Sequence, residues 1–431
     1  MDKRVLEQIL LDQQEELEQR RTERLCYRCE LERIDFRSPQ AQVVIGVRRS
    51  GKSTLCFQAM EKAQVKYGYV NWDDERFMDF GTEQLNDVLE VLYKVNGDVD
   101  YFFFDEIQNI QGWPLFVNRL LRIGKHVLLT GSNAKLLSSD LATHLTGRTN
   151  VVCLFPFSFS NFCEVESIKT GPKSTKITGI LRAAFDQYMA QGGFPELMQV
   201  ANKGEYIRSL VRDILHRDIE QRFAVSYRAT FKNLTNHLLN VAPVIVSTTK
   251  LAQTFEFKTA QTVRNYVLFL QRAFLLSGLR KYSKKSKLRM TQEKLYPIDM
   301  SLMNERDNAF AGENLGWRLE TCVYLELLRR YKSRGYDIYY LHERAGECDF
   351  LVCRGNVTLQ AIQVSYDINN EKTRKREFKG LRLASQLTRC RNLLILTDHE
   401  SGNVEYEGEK ITIRPVYEWA LDGPDSNNKP E

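Results

Sequence analysis

Residues 42–54 constrain the fold of this chain more than any other stretch, because they read Q-V-V-I-G-V-R-R-S-G-K-S-T. Val43 to Ile45 form a short β-branched run typical of a buried parallel strand, and the spacing Gly-x-x-x-x-Gly-Lys-Ser then leads into a helix. Gly46 and Gly51 allow backbone N–H groups to turn inward around a phosphate chain, ahead of the positive end of the helix dipole. The stretch therefore predicts a nucleotide-binding loop (P-loop) between a strand and a helix.

The chemistry of each side chain in this loop predicts its role. Lys52 is expected to reach the β- and γ-phosphates, and the Ser53 hydroxyl is expected to bind Mg²⁺. The predicted nucleotide-binding residues are Gly46, Val47, Arg48, Arg49, Ser50, Gly51, Lys52, Ser53, Thr54 and Asp105.

Two acids follow the apolar run from Tyr101 to Phe104. A buried strand that ends in carboxylates suits a nucleotide site, because ligands of open α/β sheets bind beyond the carboxyl edge of the strands. Asp105 is predicted to contact the Mg²⁺ shell together with Ser53, and Glu106 to act as the general base on water. The alternative is that the acids only complement the dipole of a following helix.

Two polar residues beyond the next strand complete the predicted catalytic set. Asn133 follows the strand that ends at Thr130, where it would sense the γ-phosphate, orient water or cap a helix. Arg148 precedes a fifth strand and would stabilise the transferring phosphate of its own or a neighbouring subunit, unless it is simply solvated. The predicted catalytic residues are therefore Glu106, Lys52, Asn133 and Arg148.

Composition limits the class of protein. The 431 residues suffice for two or three domains with their own cores, and 43% of them are hydrophobic. No apolar run is long enough to span a bilayer and the charged N-terminus does not resemble a signal peptide, so we expect a cytoplasmic protein without a membrane partner. The nine cysteines, an odd number, indicate reduced thiols. A net charge of +6 permits DNA binding without requiring it.

The periodicity of apolar residues divides the chain into five segments. A turn from Gln191 to Glu196 interrupts the helical pattern of the third segment, and Gly192 and Gly193 are expected to take positive φ there. The predicted segments are an N-terminal amphipathic helix (1–36, helical over 3–33), a P-loop ATPase core (37–160), a helical lid (161–235), a winged helix (236–290) and a C-terminal α/β domain (291–431).

The winged-helix prediction depends on two short helices and a basic run. A first helix begins with a Ser or Thr cap after Val246, and Thr259 to Val267 supply the candidate recognition helix. The run Arg280 to Arg289 carries six cations and no acid, as a wing would. Winged helices also mediate protein contacts, so DNA and a protein partner both remain open.

The C-terminal segment brings Glu320, Asp349 and Gln363 into register as a degenerate second metal site. An acid cluster with a purely structural role is the alternative.

Several motifs together resemble those of a large family of bacterial and archaeal AAA-type ATPases. They are Gly46 to Ser53, Asp105-Glu106, Gly131-Ser-Asn133, Leu145-Thr-Gly-Arg148, Phe155-Pro-Phe-Ser158 and Gly192-Gly-Phe-Pro-Glu196. The resemblance implies an α/β fold: a P-loop AAA-type parallel sheet with a helical lid, a winged helix-turn-helix and a C-terminal restriction-endonuclease-like α/β domain of unknown function. It also implies that the nucleotide is ATP and that the strand ending in Asp105 is not adjacent to the P-loop strand. Where the nuclease pattern of the C-terminal fold has Glu-x-Lys, this chain has Gln363-Val-Ser365. We therefore expect little or no nuclease activity unless Lys372 or Lys375 reaches back into the site.

The leading hypothesis for function is hydrolysis of ATP with Mg²⁺, coupled to DNA binding through the winged helix. One alternative is a slow ATP-dependent switch or protein-interaction scaffold, and another is an ATP-regulated nuclease. A homo-oligomer is compatible with all three.

Overall fold

The computed structural model describes residues 1–21, 23, 25–131, 145, 147–171, 174–283, 292–303 and 315–422. The chain divides into two compact units, Met1–Leu154 and Phe155–Glu431. All nine cysteines are free, as the sequence predicts.

The first unit is built on a parallel sheet. Its helices α1 to α4 are Lys3–Arg20, Lys52–Ala63, Leu85–Asn96 and Trp113–Arg122. Its strands β1 to β5 are Ala41–Ile45, Tyr67–Asn71, Tyr101–Asp105, His126–Gly131 and Thr149–Cys153. Within the described residues the sheet has five strands in the order β2-β3-β4-β1-β5, and every pairing is parallel.

The strand order decides what can approach the P-loop. Every residue of β1 is buried, as in a central strand with both faces covered. Strand β4 lies between β1 and β3, so the strand that ends in Asp105 is not adjacent to the P-loop strand, and that prediction is confirmed. Because all strands are parallel, the P-loop, the acids after β3 and the end of β4 share one edge of the sheet.

Helix α1 is amphipathic as predicted but shorter, because it ends at Arg20 instead of continuing to 33. Its buried face ends at Leu17, and the residues at 18–21 are exposed, so the apolar stripe does not continue to the end of the helix. Gln13 is buried against the edge strand β2, where it donates to Asn71 O at 3.0 Å and accepts from Asn71 N at 2.9 Å. The amide therefore covers part of an open sheet edge as a neighbouring strand would.

The second unit contains mostly helices before residue 275 and mostly strands after it. Its helices α5 to α13 are Phe159–Val165, Thr175–Gln191, Lys203–Asp213, Arg228–Val241, Thr248–Thr254, Ala260–Arg272, Leu315–Tyr331, Glu371–Thr388 and Val416–Leu421. Strands β6 to β14 are Val244–Ile245, Leu276–Lys281, Glu293–Pro297, Asp337–Glu343, Gly346–Arg354, Val357–Val364, Leu393–Thr397, Gly402–Tyr406 and Glu409–Pro415.

These strands form one mixed sheet, in the order β13-β14-β12-β11-β10-β9-β7-β8-β6 across the described residues. The predicted division at 290/291 therefore does not coincide with a break in the sheet. β7 lies before the division but pairs in parallel with β9 after it, at Arg280 with Tyr339 and Lys281 with Tyr340. Backbone hydrogen bonds across the division join the two predicted segments.

The stretch from α8 to β8 has the order helix, strand, helix, helix, strand, strand, and both β6 and β7 pair with β8. Ser247 caps α9, as predicted from the Ser and Thr residues that follow Val246, and Thr259 caps α10. Helix α10 buries Val263 and Tyr266 on one face, while Arg264 is exposed on the other.

The turn before Phe194 shows two different requirements for glycine. Gly192 takes φ 80° as predicted. The prediction of positive φ was wrong for Gly193, where a Cβ atom would lie 2.3 Å from Phe157 O. Gly193 is therefore required by the close approach of a backbone carbonyl, and not by its own dihedral angle.

Candidate nucleotide-binding site

The predicted P-loop forms a tight turn between β1 and α2. Arg49 and Gly51 are left-handed, with φ of 67° and 91°. Leu154 O lies 2.1 Å from where a Cβ atom of Gly46 would be, so any side chain at this position would clash with the backbone of the neighbouring strand end. The two glycines therefore allow the loop to wind closely at the start of the helix.

Lys52 is the first residue of α2 and is only 5% exposed. Its Nζ donates to Val47 O at 3.3 Å and lies 3.7 Å from Glu106 Oε1. The ammonium is thus held between the loop backbone and the proposed general base, on the inner side of the turn.

Three other residues of the predicted binding set have their own surroundings. Arg48 Nη1 lies 3.9 Å from Asp73 Oδ2, which follows the end of β2. Ser50 is fully buried, and its Oγ has no hydrogen-bond partner among the described atoms. Thr54 lies in the first turn of α2.

Asp105 accepts hydrogen bonds from two hydroxyls. Ser53 Oγ donates to Asp105 Oδ1 at 3.0 Å, and Thr130 Oγ1 donates to the same oxygen. Burial raises the pKa of Asp105, the negative charge of Glu106 raises it further, and the two hydroxyls and Lys52 act in the opposite direction. The carboxylate is therefore poorly solvated and its position is fixed, as suits a group that faces a cation.

Glu106 has an unusual backbone conformation for a non-glycine residue, with φ 50°. Its N–H donates to Thr130 Oγ1 at 2.9 Å, which supports this turn. Its carboxylate accepts a hydrogen bond from Gln108 Nε2 and also faces Lys52. Left-handed residues of this kind are concentrated at functional sites.

Sequence reasoning missed Thr130 and Gln108. Thr130 is fully buried at the end of β4 and contacts both acids, whereas the sequence interpretation used it only as the last residue of a strand. The available signal was a hydroxyl residue ending an apolar strand of the same sheet, where strand ends converge. Gln108 is two residues from Glu106 and carried no signal of its own.

The other two predicted catalytic residues have different outcomes. Asn133 lies outside the described residues. Arg148 O accepts from Ala41 N at 2.9 Å, so Arg148 lies at the amino end of β1 and β5, at the edge of the sheet opposite the P-loop. The length of β1 is about 13 Å at the rise of a strand, and the Arg148 guanidinium donates to Asn118 Oδ1 at 2.7 Å. The structure thus contradicts action of Arg148 on the site of its own chain, because parallel strands put their two ends at opposite edges.

The side chains at this edge fit a magnesium nucleotide. The close-wound loop, the buried ammonium of Lys52 and the unsatisfied Ser50 hydroxyl suit a phosphate chain. Ser53 Oγ and Asp105 Oδ1 are hard oxygen donors of the kind that Mg²⁺ prefers, in the usual number for a site that keeps several waters.

The fold and this site define an AAA-type P-loop protein. A family model described as an AAA domain matches residues 38–163, and a model for a domain of unknown function matches residues 182–312. The uncharacterized protein MJ1544 of Methanocaldococcus jannaschii is 31% identical over 395 residues, which cover 88% of each chain. This chain therefore belongs to the same family as MJ1544, a family with an AAA-type P-loop domain.

Two further comparisons are more distant. An uncharacterized protein of Haemophilus influenzae is 27% identical over 344 residues, covering 76% of this chain and 82% of its own. The Thermotoga maritima RuvB Holliday junction branch migration motor is 15% identical with a TM-score of 0.28, covering 55% of this chain and 81% of that one. The latter similarity is too low to support any conclusion about function.

The predicted second site in the C-terminal segment is brought together, but a lysine lies within it. Lys294 Nζ is 2.6 Å from Glu320 Oε1 and 3.8 Å from Asp349 Oδ1. Gln363 Oε1 accepts from Asp349 N at 3.2 Å, so the three predicted ligands do lie close together. Across the described residues, no group of three or more His, Cys, Asp or Glu side chains has the arrangement of a metal site.

The lysine in this cluster is Lys294, and not Lys372 or Lys375, which the sequence analysis considered. Ser365 Oγ donates to Asp367 O at 3.1 Å, and Lys375 Nζ pairs with Glu371 at 2.5 Å on the surface of α12. Lys294 lies on β8, 71 residues before Ser365 in the sequence, and only tertiary packing brings it to Glu320 and Asp349. No helix among the described residues is long and apolar enough to cross a membrane.

Proposed function

We propose that the chain binds and hydrolyses Mg·ATP and that the bound nucleotide controls DNA binding through a winged helix at 228–297. The observation that carries the ATPase part is the convergence of Lys52, Ser53, Asp105, Glu106 and Thr130 at one edge of the sheet. Few other reactions require a P-loop lysine, a magnesium-binding hydroxyl and an adjacent acid pair.

Each residue of the site has a separate role in the proposed hydrolysis. Lys52 binds phosphate oxygens, and Ser53 and Asp105 would hold Mg²⁺, which supplies charge neutralisation when it is bound. Glu106 accepts a proton from the attacking water, and Thr130 fixes the backbone of Glu106 relative to Asp105. Gln108 Nε2 donates to Glu106 Oε2, and Lys52 lies 3.7 Å from Oε1, so the attacking water would have to bind the carboxylate beside these two groups.

The DNA-binding part is supported by the order and pairing of α8 to β8, which match a winged helix, and by the surface of α10. Gln261, Arg264 and Asn265 are exposed on one side of this helix at the spacing of one turn. Amide and guanidinium groups can contact base edges in the major groove and phosphates of the DNA backbone. Residues 284–289 of the basic run lie outside the described residues, so their role as a wing remains a sequence-based expectation.

A slow ATP-dependent switch is the second candidate. The contacts of Lys52 and Gln108 with Glu106 favour it, because ATP hydrolysis is slow when the general base is already paired with other groups. In that case a protein partner or another copy of the chain would complete the site, and Arg148 would act on a neighbouring subunit.

Steady-state ATP hydrolysis, measured with and without duplex DNA at fixed salt, separates the two candidates. Strong stimulation by DNA would support coupling to the winged helix. Slow turnover that DNA does not change would support the switch. Absence of turnover with intact ATP binding, even in the presence of DNA, would contradict the ATPase proposal.

A further inference from the structure

We propose that Lys294 is a built-in cation that occupies the acidic centre of the second unit and excludes a divalent metal ion from it. The acidic centre is formed by Glu320 on α11, Asp349 on β10, Gln363 on β11 and Glu377 on α12. This assignment is independent of the proposed ATPase activity, because none of these residues belongs to the P-loop site.

The side-chain oxygens that would bind a metal ion already accept hydrogen bonds from the protein. Glu320 Oε1 accepts from Lys294 Nζ and from Tyr296 Oη, each at 2.6 Å. Asp349 Oδ2 accepts from Val364 N at 2.9 Å, while Asp349 Oδ1 faces Lys294 at 3.8 Å. Glu320 Oε1 and Asp349 Oδ2 therefore already have protein donors, and the positive charge of Lys294 lies beside both carboxylates.

Both polar atoms of the Gln363 side chain also have hydrogen-bond partners. Its Oε1 accepts the backbone N–H of Asp349, and its Nε2 donates to the Glu377 carboxylate. Glu377 in turn accepts from Arg376 Nη2 at 2.5 Å. The neutral amide thus joins two acids through hydrogen bonds, a role that a metal-binding carboxylate in its place could not fill.

Burial makes the pairing of Lys294 with acids necessary. The side chains of Lys294, Glu320 and Asp349 are 16%, 13% and 10% exposed. An ammonium or a carboxylate that is removed from water and left without a partner strongly destabilises the folded state. Burial by itself lowers the pKa of Lys294, but Glu320 and Asp349 outweigh this effect and raise the pKa overall, so the lysine stays charged.

The surrounding packing explains how a residue of β8 reaches this centre. The ring of Tyr296 on β8 stacks on the ring of Tyr324 on α11, with 4.1 Å between the ring centroids. Its centroid lies 6.1 Å from that of Phe350 on β10. The pairing of β9 with β10 is irregular between Cys348 and Leu351, on either side of Asp349. Asp349 therefore lies within an irregular stretch of the pairing, and the ring contacts of Tyr296 connect β8 to α11 and β10.

The experiment is a titration of the nucleotide-free full-length chain with Mn²⁺, followed by electron paramagnetic resonance. The variants are Lys294→Met, Asp349→Asn, the double variant, and Lys281→Met as a control that removes another largely buried, ion-paired lysine. We expect the wild type and Lys281→Met to bind no Mn²⁺ that depends on Asp349. Lys294→Met should gain about one Mn²⁺ per chain, at least about tenfold tighter than the wild type, and the double variant should lose it.

Two outcomes would overturn the proposal. One is a Mn²⁺ ion bound to the wild type and lost in Asp349→Asn, because the centre would then already be a metal site. The other is a folded Lys294→Met variant that binds no more Mn²⁺ than the wild type. If Lys294→Met unfolds in chelator, Mn²⁺ should restore its circular dichroism spectrum, because an ion that binds only the folded state stabilises that state. Failure to restore the spectrum would also count against the proposal.

Discussion

The hydroxyl of Thr130 donates a hydrogen bond to the carboxylate of Asp105, and it accepts one from the backbone of the next residue, Glu106. One buried side chain at the end of β4 thus sets the relative positions of the proposed magnesium-binding acid and the proposed general base. This arrangement requires β4 to lie between the P-loop strand and the strand that delivers the acids.

Thr130 is therefore expected to matter for turnover more than for ATP binding. Thr130→Val removes the bond to Asp105 and leaves the N–H of Glu106 without its acceptor, a loss of about 1–3 kcal/mol. If this loss falls on the transition state, kcat decreases by roughly tenfold to a hundredfold with little change in the Kd for ATP. Thr130→Ser retains the hydroxyl and should stay near the wild-type rate. Equal loss in both variants would point to packing of the methyl group instead.

The P-loop lysine and the acid after Asp105 should separate binding from chemistry. Lys52→Ala removes a charged donor to phosphate and should weaken ATP binding by about tenfold or more. Glu106→Gln keeps the shape but loses the base, so ATP should bind and turnover should fall by about 10²–10⁴-fold. Fluorescent-nucleotide binding and phosphate release measure the two effects. Wild-type turnover in Glu106→Gln would show that the assigned base is wrong.

Gln13 should contribute to the stability of the first unit. Gln13→Ala leaves the N–H and C=O of Asn71 without their side-chain partner and takes a donor from Asp74 Oδ2, which Gln13 Nε2 approaches at 2.9 Å. The free energy of unfolding should decrease by about 1–3 kcal/mol. Glu15→Ala, on the exposed side of the same helix, is the control and should change it by less than about 0.5 kcal/mol. If urea denaturation gave the same decrease in the free energy of unfolding for both variants, the contact of Gln13 with the edge strand would not contribute to stability.

Arg264 tests the DNA-binding part of the proposal. If its guanidinium contacts a phosphate, Arg264→Ala should weaken duplex binding and reduce the slope of log K against log salt concentration by about 0.9. Arg344→Ala, which removes an exposed arginine from the turn between β9 and β10, should leave the slope unchanged. Fluorescence anisotropy over a range of salt concentrations gives both slopes. An unchanged slope for Arg264→Ala would favour a protein partner at this surface.

The second unit is expected not to cleave DNA. A metal-dependent nuclease must hold its metal with carboxylate oxygens, but here Lys294 places its positive charge beside Glu320 and Asp349. In addition, Glu320 Oε1 accepts from Tyr296 and Asp349 Oδ2 accepts from Val364 N. Linear, supercoiled and single-stranded DNA should therefore stay intact with Mg²⁺ or Mn²⁺ and ATP. Gel electrophoresis beside Asp349→Ala checks this. Cleavage that is absent in that variant would establish a nuclease.

The P-loop site was largely predictable because its chemistry is local in sequence. Gly46, Gly51, Lys52 and Ser53 lie within eight consecutive positions, and the backbone geometry they require is set by glycine and by the start of a helix. Asp105 was found because an apolar strand ending in acids has a recognisable pattern. Thr130 had no comparable signal, since its role depends on which strand lies between two others.

Tertiary structure alone decided the remaining features. Arg148 precedes a strand as predicted, but only the parallel pairing of β5 with β1 puts it at the edge opposite the P-loop. Lys294 and Asp349 are separated by 54 intervening residues, and no periodicity within either strand could show that they meet.

The sequence by itself determined that this chain has a P-loop, the acids that accompany it and a parallel sheet to carry them. These properties follow from side-chain chemistry and from apolar periodicity over a few neighbouring residues. The tertiary structure decided that Thr130 joins the two acids, that Arg148 lies away from them and that Lys294 fills the second acidic centre. Contacts of this kind depend on strand order and on the packing of distant segments, and a buried charge or hydroxyl takes whichever partner that packing brings within hydrogen-bonding distance.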